Sequence, residues 1–197
     1  MSEFIYVPTE NWKEIPRIFW SDLTSAPFQE CFLCHENLID NNLFYLIEKA
    51  VKGFNGKTIG STIFEYAVCL SCADDMHLQL SENSRIDIAN YFKKHVDFND
   101  RANRLKELDD EAWLKECLIH QKEVSEEGEC QLYAFCQGDE IVYNELPYMI
   151  RAEAIDEIVD LLSAETLDIL NNFKEDLIDG PPELKELFKK GGPRILI

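Results

Sequence analysis

Two pairs of cysteines, each with the spacing C-x-x-C, constrain the fold of this chain more than any other feature. Cys31 and Cys34 form the first pair, Cys69 and Cys72 form the second, and 34 residues separate the two pairs. A two-residue spacer lets both thiolates of a pair point at the same ion, and two such pairs complete a closed tetrahedron. We therefore predict that Cys31, Cys34, Cys69 and Cys72 are the ligands of one zinc ion.

Other roles for these cysteines stay open at this point. They include reduced thiols packed as small hydrophobic groups, a different metal such as an iron–sulfur cluster, and a redox disulfide. The run from Cys31 to His35 also matches the C-x-x-C-H motif of covalent haem attachment, but that chemistry requires export. A thioredoxin-like redox pair would need a βαβ unit around it, and the sequence predicts none. We favour zinc, because two C-x-x-C pairs in one chain are the ligand set of a structural zinc site.

The segments around the two pairs predict a knuckle, a hairpin and a helix. Asn55-Gly56 is a strong signal for a tight turn, and the run 62–68 is rich in residues that favour strands. A helix is expected after Cys72. The N-terminus of that helix would stabilise thiolates through its N–H groups and its dipole.

This order resembles the treble-clef zinc finger, over roughly residues 29–80. The resemblance implies that the same four cysteines are the ligands. A site with four protein ligands is structural, because no position is left for a catalytic water. Loss of the metal is therefore expected to unfold this part of the chain.

A second set of residues echoes the first. Cys117-Leu-Ile-His120 repeats the spacing of the first pair, and Tyr133–Asp139 resembles Tyr66–Cys72. These echoes predict a shorter, decayed finger at residues 117–139. Aspartate is a poor ligand in structural zinc sites, so a copy that has lost its metal is favoured over a working second site or chance similarity. The candidate ligand positions of this second site are Cys117, His120, Cys136 and Asp139.

Helical patterns dominate the rest of the sequence. We predict that residues 1–30 form an extended arm that packs over the domain. Residues 131–135 are predicted to form a short strand. Helices are predicted at four places, namely from Ser81 to about Val96, over residues 100–118, around Ile155 and Ile158, and after the capping residue Ser163. A last short helix is predicted at residues 183–190, after Gly180-Pro181-Pro182.

We therefore predict an α+β protein that is mostly helical and contains a small β-hairpin with the zinc site. The expected division is an arm and zinc-binding lobe at residues 1–99, followed by an acidic, mainly helical lobe at residues 100–197.

The charge balance limits the classes of partner. The 197 residues contain 38 acidic and 19 basic side chains, which gives a net charge of −19, and residues 127–197 carry about half of it. A field of this sign repels nucleic acids and anionic lipid surfaces, so neither is expected as a direct partner. The acidic surface serves either solubility or the docking of a basic protein. The N-terminal sequence has no features of a secretory signal and no run of 18 apolar residues occurs, so a cytoplasmic protein is expected.

Enzymatic activity is not favoured by the sequence. None of the four histidines stands in a catalytic motif, and the glycine-rich phosphate and nucleophile motifs are missing from the sequence. The whole chain resembles bacterial proteins of unknown function that share paired C-x-x-C motifs and an acidic helical C-terminus, a resemblance that implies a fold but no activity. We expect a protein–protein interaction or scaffold module with a structural zinc. The alternatives are an enzyme whose site the sequence does not reveal, and a zinc or redox sensor that uses the cysteine pairs.

Overall fold

The computed structural model describes residues 11–123 and 128–177, with side chains described up to residue 173. Within these ranges the chain forms one six-stranded sheet and five α-helices. The strands are β1 (Trp12–Glu14), β2 (Phe44–Lys52), β3 (Ser61–Cys69), β4 (Glu129–Gln137), β5 (Glu140–Val142) and β6 (Tyr148–Arg151). The helices are α1 (Leu70–Gln79), α2 (Glu82–His95), α3 (Phe98–Leu105), α4 (Ala152–Val159) and α5 (Ala164–Leu177). Short 3-10 turns lie at Arg17–Phe19 and Asp110–Trp113.

The sheet is built on β2 and β4, which pair with each other along their whole lengths. β3 pairs with the free edge of β2, and the free edge of β4 is shared by β6 and β5, beyond which lies β1. All of these pairings are antiparallel. Strands from both sides of residue 100 therefore share one sheet.

The prediction of a mostly helical chain is wrong, because the sheet is far larger than one small hairpin. β4 runs over nine residues, whereas the sequence indicated a short strand at 131–135. Seven consecutive residues of β4, from Cys130 to Cys136, are buried. A central strand that is covered on both faces carries a continuous apolar run without polar alternation, and such a run cannot be told from a buried helix by periodicity alone.

The helix predicted over residues 100–118 is also wrong in its extent. α3 ends at Leu105, and Asp109 then caps a 3-10 turn by accepting a hydrogen bond from the N–H of Ala112 at 3.1 Å. Residues 117–122 form a tight loop in which Gln121 has a φ of 53°, which no helix allows. The helices capped by Ser81 and Ser163 are confirmed. The predicted helix at 183–190 lies outside the described residues.

The two faces of the sheet carry different polar groups. Successive side chains of a strand point to opposite faces, so the side chains of the neighbouring residues Glu48 and Lys49 of β2 lie on opposite faces of the sheet. On the face of Glu48, cross-strand pairing aligns one row of four side chains across β3, β2, β4 and β6: Tyr66, Glu48, Tyr133 and Tyr148.

Lys49 fastens the N-terminal segment to the other face. Its side chain is 1% exposed, and its Nζ atom lies 2.7 Å from Asp22 Oδ1 and 3.0 Å from Glu65 Oε2. It also donates a hydrogen bond to the carbonyl of Trp20 at 2.8 Å. The pKa of Asp22 is lowered, because the hydrogen bonds from Lys49 and Thr62 and the charge of Lys49 outweigh the opposing effect of burial. This buried ammonium is therefore neutralised by groups from both β3 and the arm.

The described chain contains the same succession of elements twice. A tight loop is followed by a long strand, a second strand that leads into a helix, and a serine-capped helix. The first copy comprises residues 31–36, β2, β3, α1 and α2, and the second comprises residues 117–122, β4, β6, α4 and α5.

The two serine-capped helices meet at a cluster of hydroxyl groups that reflects this repeat. The N–H of Ser81 donates to Thr166 Oγ1 at 3.0 Å, and the N–H of Ser163 donates to Ser84 Oγ at 2.9 Å. The hydroxyls of Ser81 and Ser163 lie 2.9 Å apart. Each capping residue is thus held by the other helix in the same way, and the two halves are locked together at this point.

None of the helices in the described ranges combines the length and the apolar character that a membrane crossing requires.

Replacing Lys49 with methionine is expected to destabilise the fold strongly. The variant leaves Glu65, which is only 13% exposed, without its cation, and breaking a buried pair in this way costs about 3 kcal/mol or more. Urea unfolding of Lys49→Met measures the loss. Lys52→Met, at an exposed position of the same strand, is the matched control and should change the free energy of unfolding by less than about 0.5 kcal/mol. Equal effects of the two variants would contradict the anchoring role of Lys49.

Candidate metal centre

The first cysteine pair lies in a tight loop ahead of the sheet, which we call the first knuckle (residues 31–36). The N–H of Cys31 donates to the carbonyl of Glu36 at 2.9 Å, and the N–H of His35 donates to the carbonyl of Cys31 at 3.0 Å. His35 has a φ of 60°, which turns the chain back, and its side chain is exposed. The N–H of Phe32 donates to Ala67 at 2.8 Å, which ties the first knuckle to β3.

The second pair lies where β3 passes into α1. Cys69 is the last residue of β3 and the N-cap residue of α1, and Cys72 lies in the first turn of that helix. The helix begins at Leu70, ahead of Cys72 and not after it as the sequence indicated. The N–H of Cys69 donates to Cys31 Sγ at 3.3 Å, so the backbone at this corner already holds one sulfur of the first knuckle.

The structure brings all four cysteines together. Their Sγ atoms lie within 4.8 Å of one another, and the sulfurs of Cys34 and Cys69 are 3.8 Å apart. A disulfide would require about 2.05 Å, and all four residues are free thiols. A tetrahedron with metal–sulfur bonds of about 2.3 Å has edges of about 3.8 Å. The spacing is therefore that of a tetrahedral thiolate site.

The donor set agrees with a metal ion. Tetrahedral sites with four sulfur ligands bind a zinc ion or the iron of an iron–sulfur centre. Four protein donors leave no open coordination position, so a metal bound here would have a structural role. Cys31, Cys34, Cys69 and Cys72 would hold it. The geometry supports a metal site without fixing the identity of the metal.

The thiols of the site differ in acidity. Burial opposes ionisation of Cys31, but hydrogen bonds from backbone N–H groups, those of Cys34 and Cys69 first, outweigh it and lower the pKa to about 7. Burial raises the pKa of Cys69, and burial together with hydrogen bonds among the crowded thiols raises that of Cys72. Several thiolates within this small volume repel one another, and a divalent cation would remove that repulsion.

Burial across the site is graded. Cys31 and Cys69 are buried, Cys72 is half-buried, and Cys34 is exposed. Behind the first knuckle, the ring of Phe32 packs edge-on against Phe173 of α5 with centroids 5.6 Å apart, and Tyr66 contacts the same ring at 5.4 Å. One side of the site thus rests on the aromatic core, and the other is open to solvent.

The second predicted set is not gathered in the same way. Cys117 and His120 lie in the loop at residues 117–122, whereas Cys136 is buried in β4 and Asp139 follows the end of that strand. Within the described residues, the four cysteines of the first site are the only group of three or more His, Cys, Asp or Glu side chains close enough to share an ion. His120 instead contacts Glu157, with Nε2 and Oε1 3.1 Å apart.

The loop at residues 117–122, which we call the second knuckle, nevertheless has the backbone of the first. The N–H of Cys117 donates to the carbonyl of Lys122 at 2.9 Å, and the N–H of Gln121 donates to the carbonyl of Cys117 at 2.8 Å. The N–H of Leu118 donates to Met149 of β6, as Phe32 does to β3.

The structure corrects the sequence alignment of the second copy. The N–H of Arg151 donates to Cys117 Sγ at 3.4 Å, the role that Cys69 has toward Cys31. Arg151 precedes α4 as Cys69 precedes α1, so the position of Cys69 corresponds to Arg151 and not to Cys136. The sequence similarity between Tyr133–Asp139 and Tyr66–Cys72 implies that β4 corresponds to β3. In the structure β4 is the first strand of the second copy, so it corresponds to β2.

One polar feature of the core was missed from the sequence. Glu48 and Lys49 are both buried in β2, on opposite faces of the sheet. The signal was available, since two adjacent charges interrupt an otherwise apolar strand in Phe44–Lys52. Charged residues are almost never fully buried unless they are paired, so such an interruption suggests a partner or a site.

Comparison with protein-family models, curated proteins and solved structures finds no match for this chain. The resemblance to bacterial proteins with paired C-x-x-C motifs therefore receives no support. The sulfur geometry alone carries the metal assignment.

Replacing Cys72 with serine is expected to abolish metal retention. A serine hydroxyl does not replace a thiolate ligand, and loss of the bound metal should lower the melting temperature by about 10 °C or more. Native mass spectrometry of protein purified without chelators counts the ions bound per chain.

Cys117→Ser is the matched control. Its sulfur accepts one backbone hydrogen bond in an equivalent knuckle, and a hydroxyl can accept the same bond. This variant should keep one metal ion per chain, as should Asp139→Ala. Full metal content in Cys72→Ser, or its loss in Cys117→Ser, would show that the ligand set is wrong.

Proposed function

We propose that this protein is an interaction module that a structural zinc ion stabilises, and that it binds a basic protein partner. The observation that supports the zinc site most strongly is the group of four sulfur atoms within 4.8 Å of one another, where the first knuckle, β3 and α1 meet. Zinc is the metal we favour, because it takes four thiolates in a closed tetrahedron without redox chemistry. Such a site requires reduced thiols, so we propose that the protein works in a reducing compartment such as the cytoplasm.

The proposed role of the zinc is to fix a surface. No residue of α1 is buried, whereas α4 buries three, so apolar packing contributes less to holding α1 on the sheet. Zinc bound through Cys69 and Cys72 would join the start of α1 to the first knuckle. The exposed leucines Leu33 and Leu78 lie on the first knuckle and on α1, which together we call the zinc lobe. The bound zinc would hold both leucines in fixed positions.

The proposed partner is basic because the chain cannot neutralise itself. With 38 acidic against 19 basic side chains, the basic side chains of the chain can neutralise only half of the negative charge. Such a surface attracts cations over a Debye length and raises the rate of association with a positively charged partner. A chain that exposes leucines and carries this net charge suits a partner with both apolar and basic groups.

Redox sensing is a second candidate, which one observation favours. Cys34 is exposed, and its sulfur lies 3.8 Å from that of Cys69. An oxidant that reaches Cys34 would produce a sulfenic acid, which a neighbouring thiol condenses to a disulfide. Release of the metal by mild peroxide, with recovery on reduction and resupply of zinc, would favour the sensor over the purely structural role.

The interaction is tested by NMR titration of the metal-loaded protein with two synthetic peptides. One alternates lysine and leucine, and the other alternates glutamate and leucine. We expect the basic peptide to bind about tenfold more tightly or better at 150 mM salt, with shifts concentrated at residues 31–36 and 70–79. The Leu78→Ser variant should weaken this binding about fivefold.

Leu108→Ser is the matched control, because Leu108 is also exposed but lies outside the zinc lobe. It should bind the basic peptide as the unmodified protein does. The proposal would be contradicted if the basic peptide bound only at low salt, and with the same affinity to Leu78→Ser as to the unmodified protein. The acidic surface would then serve solubility alone.

A further inference from the structure

A cavity of about 190 Å³ lies between the sheet and α1. Its walls are mainly apolar, and an engineered apolar cavity of about 150 Å³ is known to hold benzene. The volume therefore suits a single ring with a short substituent. Half-exposed residues of α1, among them Asp74 and His77, form its solvent side. The apolar lining includes Leu46, Leu70, Ala73, Met76, Leu80 and Leu170.

Glu48 brings a carboxyl group to this cavity from the middle of the sheet. Its side chain is buried, and the Tyr66 hydroxyl donates to its Oε2 atom at 2.5 Å. The Tyr133 hydroxyl is 2.6 Å from Gln131 Oε1 and 3.5 Å from Glu48 Oε1. At 3.5 Å the hydrogen bond from Tyr133 to Glu48 Oε1 is long, so this oxygen can accept a shorter one from a bound donor.

Glu48 has no basic ion-pair partner among the described residues, in contrast to Glu65 on the opposite face. Burial raises the pKa of Glu48 to about 8, against the lowering effect of the hydrogen bonds from Tyr66 and Tyr133. A buried carboxyl group of this kind gains most from a ligand that supplies a positive charge.

The equivalent helix in the second half of the fold is more deeply buried. Ala73 in α1 corresponds to Ile155 in α4, because Cys69 and Arg151 precede the two helices at the same position. α4 buries Ala154, Ile155 and Ile158, whereas α1 buries none of its residues. The position that carries the small side chain of Ala73 at the cavity thus carries a buried isoleucine in the other half.

We propose that this cavity binds a small primary amine with an apolar body the size of one ring, its ammonium group on Glu48 and its body against the leucines. Among the described residues of the lining, Glu48 and Asp74 are the only ones with carboxyl groups, and none is a lysine or an arginine. Tyr133 stands next to Glu48 in the row across the sheet, Tyr148 stands next to Tyr133, and both belong to the lining. Aromatic rings of this kind attract cations. The net charge of −19 concentrates cations near the protein.

The test is calorimetric titration of the metal-loaded full chain with 2-phenylethylamine, and with 2-phenylethanol and phenylacetate as the neutral and anionic probes. The amine should bind at least about tenfold more tightly than either. Ala73→Ile should abolish binding of the amine, because the isoleucine fills the cavity. Glu48→Gln should weaken the amine about tenfold and leave the affinity for 2-phenylethanol within about twofold.

Two controls keep the result interpretable. Metal content and the melting temperature show whether each variant is folded, and Ala73→Ile is expected to be at least as stable as the parent because it adds buried apolar volume. If Glu48→Gln does not fold, Ala73→Ile and the comparison of the three probes decide the question. Failure of the parent to bind the amine at millimolar concentration, equal binding of amine and alcohol, or unchanged binding by Ala73→Ile would each overturn the proposal.

Discussion

The attachment of α1 depends on the four sulfur atoms at the end of β3. This helix contributes no buried residue, yet it carries one ligand position in its first turn and another at its cap. Four thiols within 4.8 Å of one another cannot all ionise without strong repulsion unless a cation lies between them. The metal would therefore supply the cohesion that apolar packing does not, and it would join the first knuckle, the sheet and the helix at one point.

The second half of the fold solves the same problem without a metal. Its knuckle has the same hydrogen bonds, but Arg151 stands at the position of Cys69, and α4 is held by buried Ala154, Ile155 and Ile158. Buried apolar side chains thus fix α4 to the sheet, whereas a metal held by the cysteines would fix α1. The cavity lined by α1 lies where this helix buries none of its side chains.

The metal centre could be predicted from sequence because its determinants are local. Two C-x-x-C pairs indicate a tetrahedral site whatever fold surrounds them, and serine caps such as Ser81 act over three or four residues. The sheet could not be predicted so well, because β4 is a buried central strand whose apolar run lacks alternation. Arg151 could not be found at all by matching cysteines, since its equivalence to Cys69 is visible only in the hydrogen bond that its N–H makes to Cys117.

X-ray absorption at the zinc edge measures which atoms surround the bound metal. If the four cysteines hold a zinc ion, the first shell contains four sulfur atoms at about 2.3 Å and no lighter atom. A first shell that contains nitrogen or oxygen at about 2.0–2.2 Å would contradict this ligand set, because a histidine, a carboxylate or water would then complete the site in place of one of the four cysteines.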